Sequence, residues 1–301
     1  LKGDFKPKKT QLQVNLGLEV KVTESDPAKG RWVYRSPHFE FVSNAYLGTD
    51  VVREFAWMFE VTHDYLATLP VQLQRLREAG TRPMRTHLFG TFDEYVKAGG
   101  PPRSAGAYIP SKDVILIPFK SLGLTKRGSG YALDDRISNR VLLHEIAHHL
   151  MRGRTQQAAW FIEGVAEYVA CIPFAQNRLL LSQHQFSVTE CVVSDGWQDM
   201  GGYRLGQTIE LPRLRTFMGG SYRGFQATRN AYPAALILFN YFARMDGAGD
   251  GARLKEYAET LLEGQPEAEA RQALLAGRSY EGLEKDLAKA WGKRGVVVTF
   301  K

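Results

Sequence analysis

Long apolar runs are missing from this sequence of 301 residues. The longest, 234–239, is far shorter than the roughly 20 residues that a helix needs to cross a bilayer, so we expect no integral membrane segment. Cysteine is also scarce: Cys171 and Cys191 are too few for a disulfide framework. They could form one bridge in an oxidising compartment or remain two buried thiols, and the apolar helical pattern around Cys171 slightly favours the thiols.

A concentrated basic surface is absent as well. The net charge is +7 and the pI about 9.3, but lysine and arginine are scattered and no stretch interleaves them with aromatic residues. We therefore interpret the charge as a solvated surface and expect no nucleic-acid partner. With 44% hydrophobic and 24% charged residues, the composition is that of a globular protein with one large domain or two smaller packed ones.

Hydrophobic periodicity divides the chain into two parts, and together they indicate an α+β fold. Residues 1–130 mix helix and strand patterns, including an alternating segment at 11–22 and a helix at 50–69 with Asp50 as its N-cap. Residues 131–301 are mainly helical, with a first helix from Asp134 or Asp135 to about Met151, ended by Gly153, and a polar connector before it at 126–130. Segment 182–222 fits no pattern. Other helices are predicted at 92–98, 156–171, 231–245, 252–262, 266–276 and 280–291, and short strands at 32–34, 39–42, 85–89, 105–108, 114–119 and 296–300.

One short motif carries chemistry: His144-Glu145-Ile146-Ala147-His148 has the pattern H-E-x-x-H. On a helix, His144 and His148 share one face, where both imidazoles can bind one metal ion. Glu145 points beside that ion, which is where a general base for a water molecule is needed. The flanking residues are mostly apolar, so two histidines and a glutamate here cost free energy unless they are paired or bind a metal. The alternative is a pair of hydrogen-bonded core histidines.

The next helix supplies a candidate third ligand. Glu163 and Glu167 are four residues apart on one face of a mostly apolar segment, and the short link before it lets the two helices pack together. Glu163 can then complete the metal coordination, and Gly164 would permit close approach of the two helix backbones. Glu167 can accept the remaining N–H of a ligating histidine, more plausibly His144, and fix its orientation. The alternative is an exposed acidic stripe.

These residues resemble the gluzincin pattern of zinc metallopeptidases. In the thermolysin and aminopeptidase N types, the third ligand is a glutamate on the helix after H-E-x-x-H, which corresponds to Glu163, and thermolysin-like enzymes have an acid four residues later, at the position of Glu167. The chain also resembles the bacterial peptidase MA-like family, in which an α/β part precedes H-E-x-x-H, then W-x-x-E-G-x-A-E, then a helix beginning with tyrosine. The resemblance covers about residues 35–295 and is specific at 144–168.

The resemblance implies a zincin-like fold, with the H-E-x-x-H helix between a mixed sheet and a mainly helical half. It implies one zinc ion and a peptide or protein substrate. It further implies that a downstream tyrosine stabilises the oxyanion, and Tyr232 matches that position, although an ordinary aromatic at a helix start is an equal alternative. Tyr203, Tyr222 and His184 are weaker candidates, and we expect His149 to be structural.

The sequence departs from the family pattern in two places. Fourteen residues separate His148 from Glu163, fewer than in the well-known branches. The G-A-M-E-N motif of aminopeptidases is absent, and segment 105–108 in the comparable place lacks its acid, so we expect an endopeptidase. The same segment is a candidate sheet edge for pairing with a substrate strand, although an ordinary hairpin strand is favoured.

Two other functions compete with the peptidase hypothesis. A gluzincin-like domain could bind a peptide or glycan without proteolysis, but Glu145 would then have no role. A structural module with a chance H-E-x-x-H motif is disfavoured by the match around Glu163. The resemblance and the first residue, Leu1, suggest an extracytoplasmic protein, since a leucine start fits either a removed signal peptide or a shortened chain.

Overall fold

The computed structural model describes residues 3–71, 82–102, 104–134, 140–151, 157–196, 198 and 201–301. These ranges form an α+β fold. The strands are β1 (Leu12–Gln13), β2 (Lys21–Asp26), β3 (Arg31–Arg35), β4 (Phe39–Ser43), β5 (Met84–Phe89), β6 (Ala107–Ile109), β7 (Val114–Pro118), β8 (Leu124–Arg127), β9 (Gly130–Leu133), β10 (Phe174–Ala175), β11 (Arg178–Leu179), β12 (Thr208–Leu211) and β13 (Val297–Phe300). The α-helices are α1 (Thr49–Leu66), α2 (Phe92–Lys97), α3 (Arg140–Met151), α4 (Ala159–Ala170), α5 (His184–Val193), α6 (Leu214–Met218), α7 (Tyr222–Ala227), α8 (Ala231–Arg244), α9 (Ala252–Leu262), α10 (Glu267–Leu275) and α11 (Tyr280–Gly292).

A six-stranded mixed sheet lies in the N-terminal part, in the order β2-β3-β4-β5-β7-β6. Strands β4, β5 and β7 are parallel, whereas β2, β3 and β6 run antiparallel to their neighbours. Every residue of β7 is buried, which explains its uninterrupted apolar sequence. The short strand β6 forms one edge of the sheet, and α3 packs beside β6 and β7. The helix with the H-E-x-x-H motif therefore runs along this edge.

Aromatic packing joins the sheet to α1. Phe39 and Phe41 are two residues apart on β4 and point to the same face, where they meet Phe55 and Phe59 from successive turns of α1. The rings of Phe41 lie edge-on to Phe55 and Phe59 with centroids 5.1 and 5.0 Å apart. Such pairs add about 0.5–1.5 kcal/mol each beyond the burial of apolar area. Because α1 also packs on α3, this core supports the helix with the motif.

Helix α4 lies between α3 and α8, and almost all of its residues are buried. Its apolar circumference is therefore explained by neighbours on several sides. The expected role of Gly164 at the α3 interface was wrong, because this glycine faces α8. A Cβ atom there would lie 2.8 Å from Phe239 Cβ and 3.0 Å from the Ala235 carbonyl oxygen. Gly164 thus sets the spacing between α4 and α8.

Most predicted helices are confirmed within two residues, including those at 92–98, 231–245, 252–262, 266–276 and 280–291. The helix expected at 50–69 extends over Thr49–Leu66, but its N-cap is Gly48, and Asp50 lies in the first turn. The predicted cap Asp135, the stop Gly153 and the start of the 156–171 helix lie outside the described residues. Among the described helices, none combines the length and apolarity needed to cross a membrane.

Three regions differ from the expectations. The strand predicted at 11–22 is replaced by the two-residue β1, a turn, and the start of β2, because Asn15 Oδ1 accepts a hydrogen bond from the Gly17 N–H and turns the chain. The connector expected at 126–130 belongs to the β8–β9 hairpin, which turns at Gly128 and Ser129. Segment 182–222 contains α5, β12 and α6, and β12 pairs in parallel with the C-terminal strand β13.

Candidate metal centre

Helix α3 places both histidines of the motif on one face. The Nε2 atoms of His144 and His148 are 2.9 Å apart, and each side chain is 14% exposed. The two rings meet edge-on with centroids 4.5 Å apart. This is the i, i+4 arrangement expected from the sequence, with both nitrogens directed to one point that solvent can reach.

Helix α4 brings Glu163 to the same point. Its Oε2 atom lies 3.5 Å from His144 Nε2 and 3.2 Å from His148 Nε2, yet it is buried and accepts no hydrogen bond. The other carboxylate oxygen, Oε1, accepts a hydrogen bond of 3.0 Å from the Tyr222 hydroxyl group. Within the described ranges, His144, His148 and Glu163 form a group whose ligand atoms lie within 4.8 Å of one another.

The three side chains fit a metal ion. A buried carboxylate oxygen without a hydrogen bond is costly, and a cation would satisfy it. The Nδ1 atom of His144 lies 3.1 Å from Glu167 Oε1, so the proton of a neutral imidazole is held on Nδ1 and Nε2 keeps its lone pair. Two imidazole nitrogens and one carboxylate oxygen are a donor set that suits zinc and several other transition metals.

Two further side chains, Arg140 and Tyr203, lie against the Glu167 carboxylate. Its Oε2 atom forms an ion pair with Arg140, and Tyr203 lies close to the same carboxylate. The Arg140 guanidinium carbon lies 4.6 Å from the centre of the Tyr203 ring. Arg140 is one helical turn before His144, so α3 carries both the histidine and the cation that holds its carboxylate partner. These contacts hold the Glu167 carboxylate, which in turn fixes the orientation of the His144 ring.

Burial and charge act in opposite directions on these groups. Burial lowers the pKa of His144, but Glu163 and Glu167 outweigh it and raise the pKa to about 10. Burial raises the pKa of Glu167, but His144 and Arg140 outweigh it and lower the pKa to about 2. Burial likewise raises the pKa of Glu163, and the two imidazoles then hold it well below its usual range. Both carboxylates are therefore ionised at neutral pH.

The carboxylate of Glu145 points to the sheet edge, beside the three donor atoms. Its Oε2 atom accepts a hydrogen bond of 2.6 Å from the backbone N–H of Tyr108 on β6. The Tyr108 ring stacks on His149 with centroids 5.0 Å apart. The Tyr108 hydroxyl group and His149 Nε2 both contact Asp113 Oδ1, at 3.1 and 3.3 Å. These contacts tie the edge strand to α3, and they include His149, which the sequence predicts to be structural.

Tyr232 and Tyr222 lie at the open side of the site. Tyr232 opens α8, is 36% exposed, and has its ring centroid 6.4 Å from that of His144. Tyr222 opens α7, is 49% exposed, and packs with Tyr232 against Phe225, with ring centroids 6.2 and 5.3 Å from that of Phe225. Burial and the charge of Glu163 raise the pKa of both hydroxyls, so both are protonated donors at neutral pH. His184, a weaker candidate, instead contacts the Tyr168 carbonyl oxygen in the core, at 2.7 Å from Nε2.

Sequence reasoning missed two participants in this arrangement, Arg140 and the Tyr108 N–H, and did not predict the contact that a third, Tyr222, makes. Arg140 lies four residues before His144, and this spacing could have predicted that the two side chains share one face of the helix. The Tyr108 N–H is a backbone group, and no side-chain pattern could reveal its contact with Glu145. Tyr222 was a weaker candidate, and its contact with Glu163 depends on the fold of 201–230.

No model of a known protein family matches this chain, and a search of curated proteins found no match.

Proposed function

We propose that this protein is a zinc-dependent metallopeptidase of the gluzincin type that hydrolyses internal peptide bonds. The observation that carries the proposal is the convergence of His144 Nε2, His148 Nε2 and the buried Glu163 Oε2, with Glu145 alongside. A zinc ion held by these atoms would act as a Lewis acid, polarising a carbonyl group and making water more acidic. A zincin-like arrangement of sheet edge and helix is part of the proposal.

Glu145 is the proposed general base. It accepts a proton from the attacking water and returns it to the leaving amine, which typically contributes 10²–10⁴-fold in rate. The hydrogen bond from the Tyr108 N–H holds one oxygen of the carboxylate and leaves the other for the water. The Tyr108–His149–Asp113 contacts keep the strand that makes this bond in place. Glu145 is thus oriented by the sheet edge as well as by its own helix.

Stabilisation of the oxyanion is assigned to Tyr232. Its protonated hydroxyl group lies at the open side of the site, and no metal ligand accepts a hydrogen bond from it in the described contacts. The Tyr222 hydroxyl group already donates to Glu163 Oε1. We therefore assign Tyr222 to the orientation of the ligand and Tyr232 to the reaction.

Strand β6 is the proposed docking edge for the substrate. It is the last strand of its sheet and lies directly beside Glu145, so an extended peptide that pairs with it would pass the donor atoms. Recognition through backbone hydrogen bonds is suited to cleavage within a chain, because it needs no free terminus. A peptide or protein substrate and an extracytoplasmic location complete the proposal.

The test is hydrolysis of a peptide library by zinc-loaded wild-type protein and by Glu145→Gln. We expect cleavage by the wild type and a loss of at least ~100-fold in the variant, because glutamine cannot accept the proton. Zinc content should be equal in both, since Glu145 is not a ligand. Glu54→Gln, an exposed position on α1, is the matched control and should keep full activity.

Hydrolysis that survives Glu145→Gln would contradict the assigned role of this residue. Zinc binding without cleavage of any library peptide would instead support the alternative, a gluzincin-like domain that binds a peptide or glycan.

A further inference from the structure

A cavity of about 380 Å³ lies between the N-terminal segment 3–12 and the end of α1. Its apolar lining includes Tyr65 from α1, Leu12 from β1 and Leu181, and these side chains are buried or half-buried. The volume falls within the roughly 300–1,000 Å³ that is usual for small-ligand sites. The described residues that line it include none from the candidate metal centre, so the cavity is a separate site.

The segment that covers the cavity is held on both sides. On one side, Phe5 is fully buried and lies edge-on to Phe239, with ring centroids 5.8 Å apart. On the other side, the Thr10 carbonyl oxygen accepts a hydrogen bond of 2.8 Å from the Ser182 N–H. Residues 6–9 therefore form an arch between two fixed points, and the space beneath them is part of the folded structure.

The charged residues that line the cavity are mostly basic. They include the exposed side chains of Lys6, Lys8 and Lys9. Lys8 forms an ion pair with Asp4, with 3.3 Å between Nζ and Oδ2, whereas neither Lys6 nor Lys9 forms an ion pair with a described residue. Among the described lining residues, three lysines and one aspartate leave a net charge of +2. This charge favours a ligand with an anionic group.

The polar groups of Thr68, which also lines the cavity, already have partners. Its hydroxyl group donates a hydrogen bond of 2.7 Å to the Tyr65 carbonyl oxygen, and its own carbonyl oxygen accepts one of 3.0 Å from the Asp4 N–H. A peptide or a sugar would bring several polar groups against the apolar wall and lose their hydrogen bonds with water. A ligand with one charged end and an apolar body would lose few.

We propose that this cavity binds an anionic amphiphile with a single apolar chain, of the medium-chain fatty-acid type. The carboxylate group lies among the ammonium groups of Lys6 and Lys9, and the chain packs against Tyr65, Leu12 and Leu181. Burial of the chain supplies most of the affinity, because exposed charge pairs contribute little. The inference goes beyond the proposed function and requires neither a metal ion nor a peptide substrate.

The experiment is isothermal titration of metal-free, full-length protein with saturated fatty acids of increasing chain length, each below its micelle concentration. Metal is removed so that a carboxylate has no bound ion to coordinate. Each methylene group that enters the cavity should raise the affinity about fourfold, and the rise should stop once the chain fills the cavity. Octanoate should bind at one site per chain, and octanol, which has the same chain length without the charge, should bind more weakly.

Variants separate the charge from the apolar wall. Lys6→Gln and Lys9→Gln should each weaken octanoate binding about two- to fivefold, less at high salt, and should leave octanol binding unchanged. Lys285→Gln, an exposed position on α11 that does not line the cavity, is the matched control and should bind octanoate like the wild type. Leu12→Trp fills the cavity and should abolish binding of both ligands.

Several results would overturn the proposal. They are wild-type protein that binds no fatty acid saturably, an octanoate affinity that is the same in Lys6→Gln and Lys9→Gln as in the wild type, or an equal loss in Lys285→Gln. A folded Leu12→Trp variant that still binds octanoate would place the ligand elsewhere and would also overturn it. Because the chain-length series uses the wild-type protein, poor folding of a variant does not affect that result.

Discussion

At the open side of the site, the neighbouring residues Tyr222 and Tyr232 have different partners. Tyr222 donates to Glu163 Oε1, whereas Tyr232 lies over the His144 side of the site. We expect Tyr222→Phe to weaken zinc binding about tenfold, because the ligand carboxylate loses the hydrogen bond that orients it. Tyr232→Phe should leave zinc affinity unchanged and lower kcat about 100-fold. Competition with a chromogenic chelator and peptide kinetics separate the two effects. Equal effects on zinc affinity would contradict the division of roles.

The protonation of His144 opposes metal binding in the metal-free protein. Its pKa is raised from 6.5 to about 10 by Glu163 and Glu167 despite burial. The stability that this ion pairing contributes is therefore fully present below about pH 6.5 and is lost as pH rises through about 10. A metal must displace that proton, so zinc affinity should rise about tenfold per pH unit between about pH 7 and 8. Chelator competition at these pH values measures it, and an affinity independent of pH would contradict the account.

At the scale of single residues, the cluster of His144, His148 and Glu163 could be predicted because it follows from helix geometry. His144 and His148 share a face by their spacing, and the apolar flanks of Glu163 left it no exposed side. The sequence could not show the partners that come from distant segments. Tyr222 reaches Glu163 from α7, and the Tyr108 N–H reaches Glu145 from the sheet edge. Both depend on tertiary packing that no local pattern encodes.

At the scale of elements, the interface between α4 and α8 depends on one glycine. A Cβ atom at position 164 would press on Phe239 Cβ at 2.8 Å and on the Ala235 carbonyl oxygen at 3.0 Å. We expect Gly164→Ala to destabilise the fold by about 1–3 kcal/mol, because the two helices must move apart. Gly292→Ala, where nothing lies within 4 Å of the added Cβ, is the matched control and should change stability by less than about 0.5 kcal/mol. Urea unfolding measures both, and equal stabilities would show that α8 does not constrain α4.

The elements that were predicted correctly are those with a full helical or strand period. Helices such as α9 and α11 have clear apolar stripes, and β7 is an uninterrupted apolar run. The alternating pattern at 11–22 wrongly predicted one continuous strand. Val14, Leu18 and Val20 are buried but lie outside the described strands, on a backbone that turns at Asn15. Burial there reflects packing against the core rather than a sheet. Segment 182–222 was not assigned for a different reason: α5 has no clear apolar stripe, and β12 and α6 have only four and five residues, too few to show a period.

At the scale of the whole molecule, buried neutral histidines make the fold sensitive to acid. Burial lowers the pKa of His184 to about 3 and, with help from Arg85, that of His87 to about 4. Both groups contribute stability that is present above about pH 6.5 and is lost as pH falls toward those values, because the unfolded chain binds the protons first. The contribution of His144 does not change in this window in metal-free protein, since it is complete below pH 6.5.

We therefore expect metal-free protein to lose up to about 1.4 kcal/mol of stability per pH unit for each histidine between about pH 6 and 4. His184→Gln cannot take up a proton at this position and should show a shallower loss. Urea unfolding at several pH values checks both slopes. Parallel slopes for the wild type and the variant would contradict the assignment to His184.

The central claim is a metal centre built from His144, His148 and Glu163, and metal content tests it most directly. Elemental analysis of chelated protein reloaded with zinc should give about one ion per chain. Glu163→Ala should lose that ion, because one of three ligands is removed, whereas Glu54→Ala on the exposed face of α1 should keep it. A wild-type chain that takes up no zinc, or a Glu163→Ala variant that binds it as tightly as the wild type, would contradict the account.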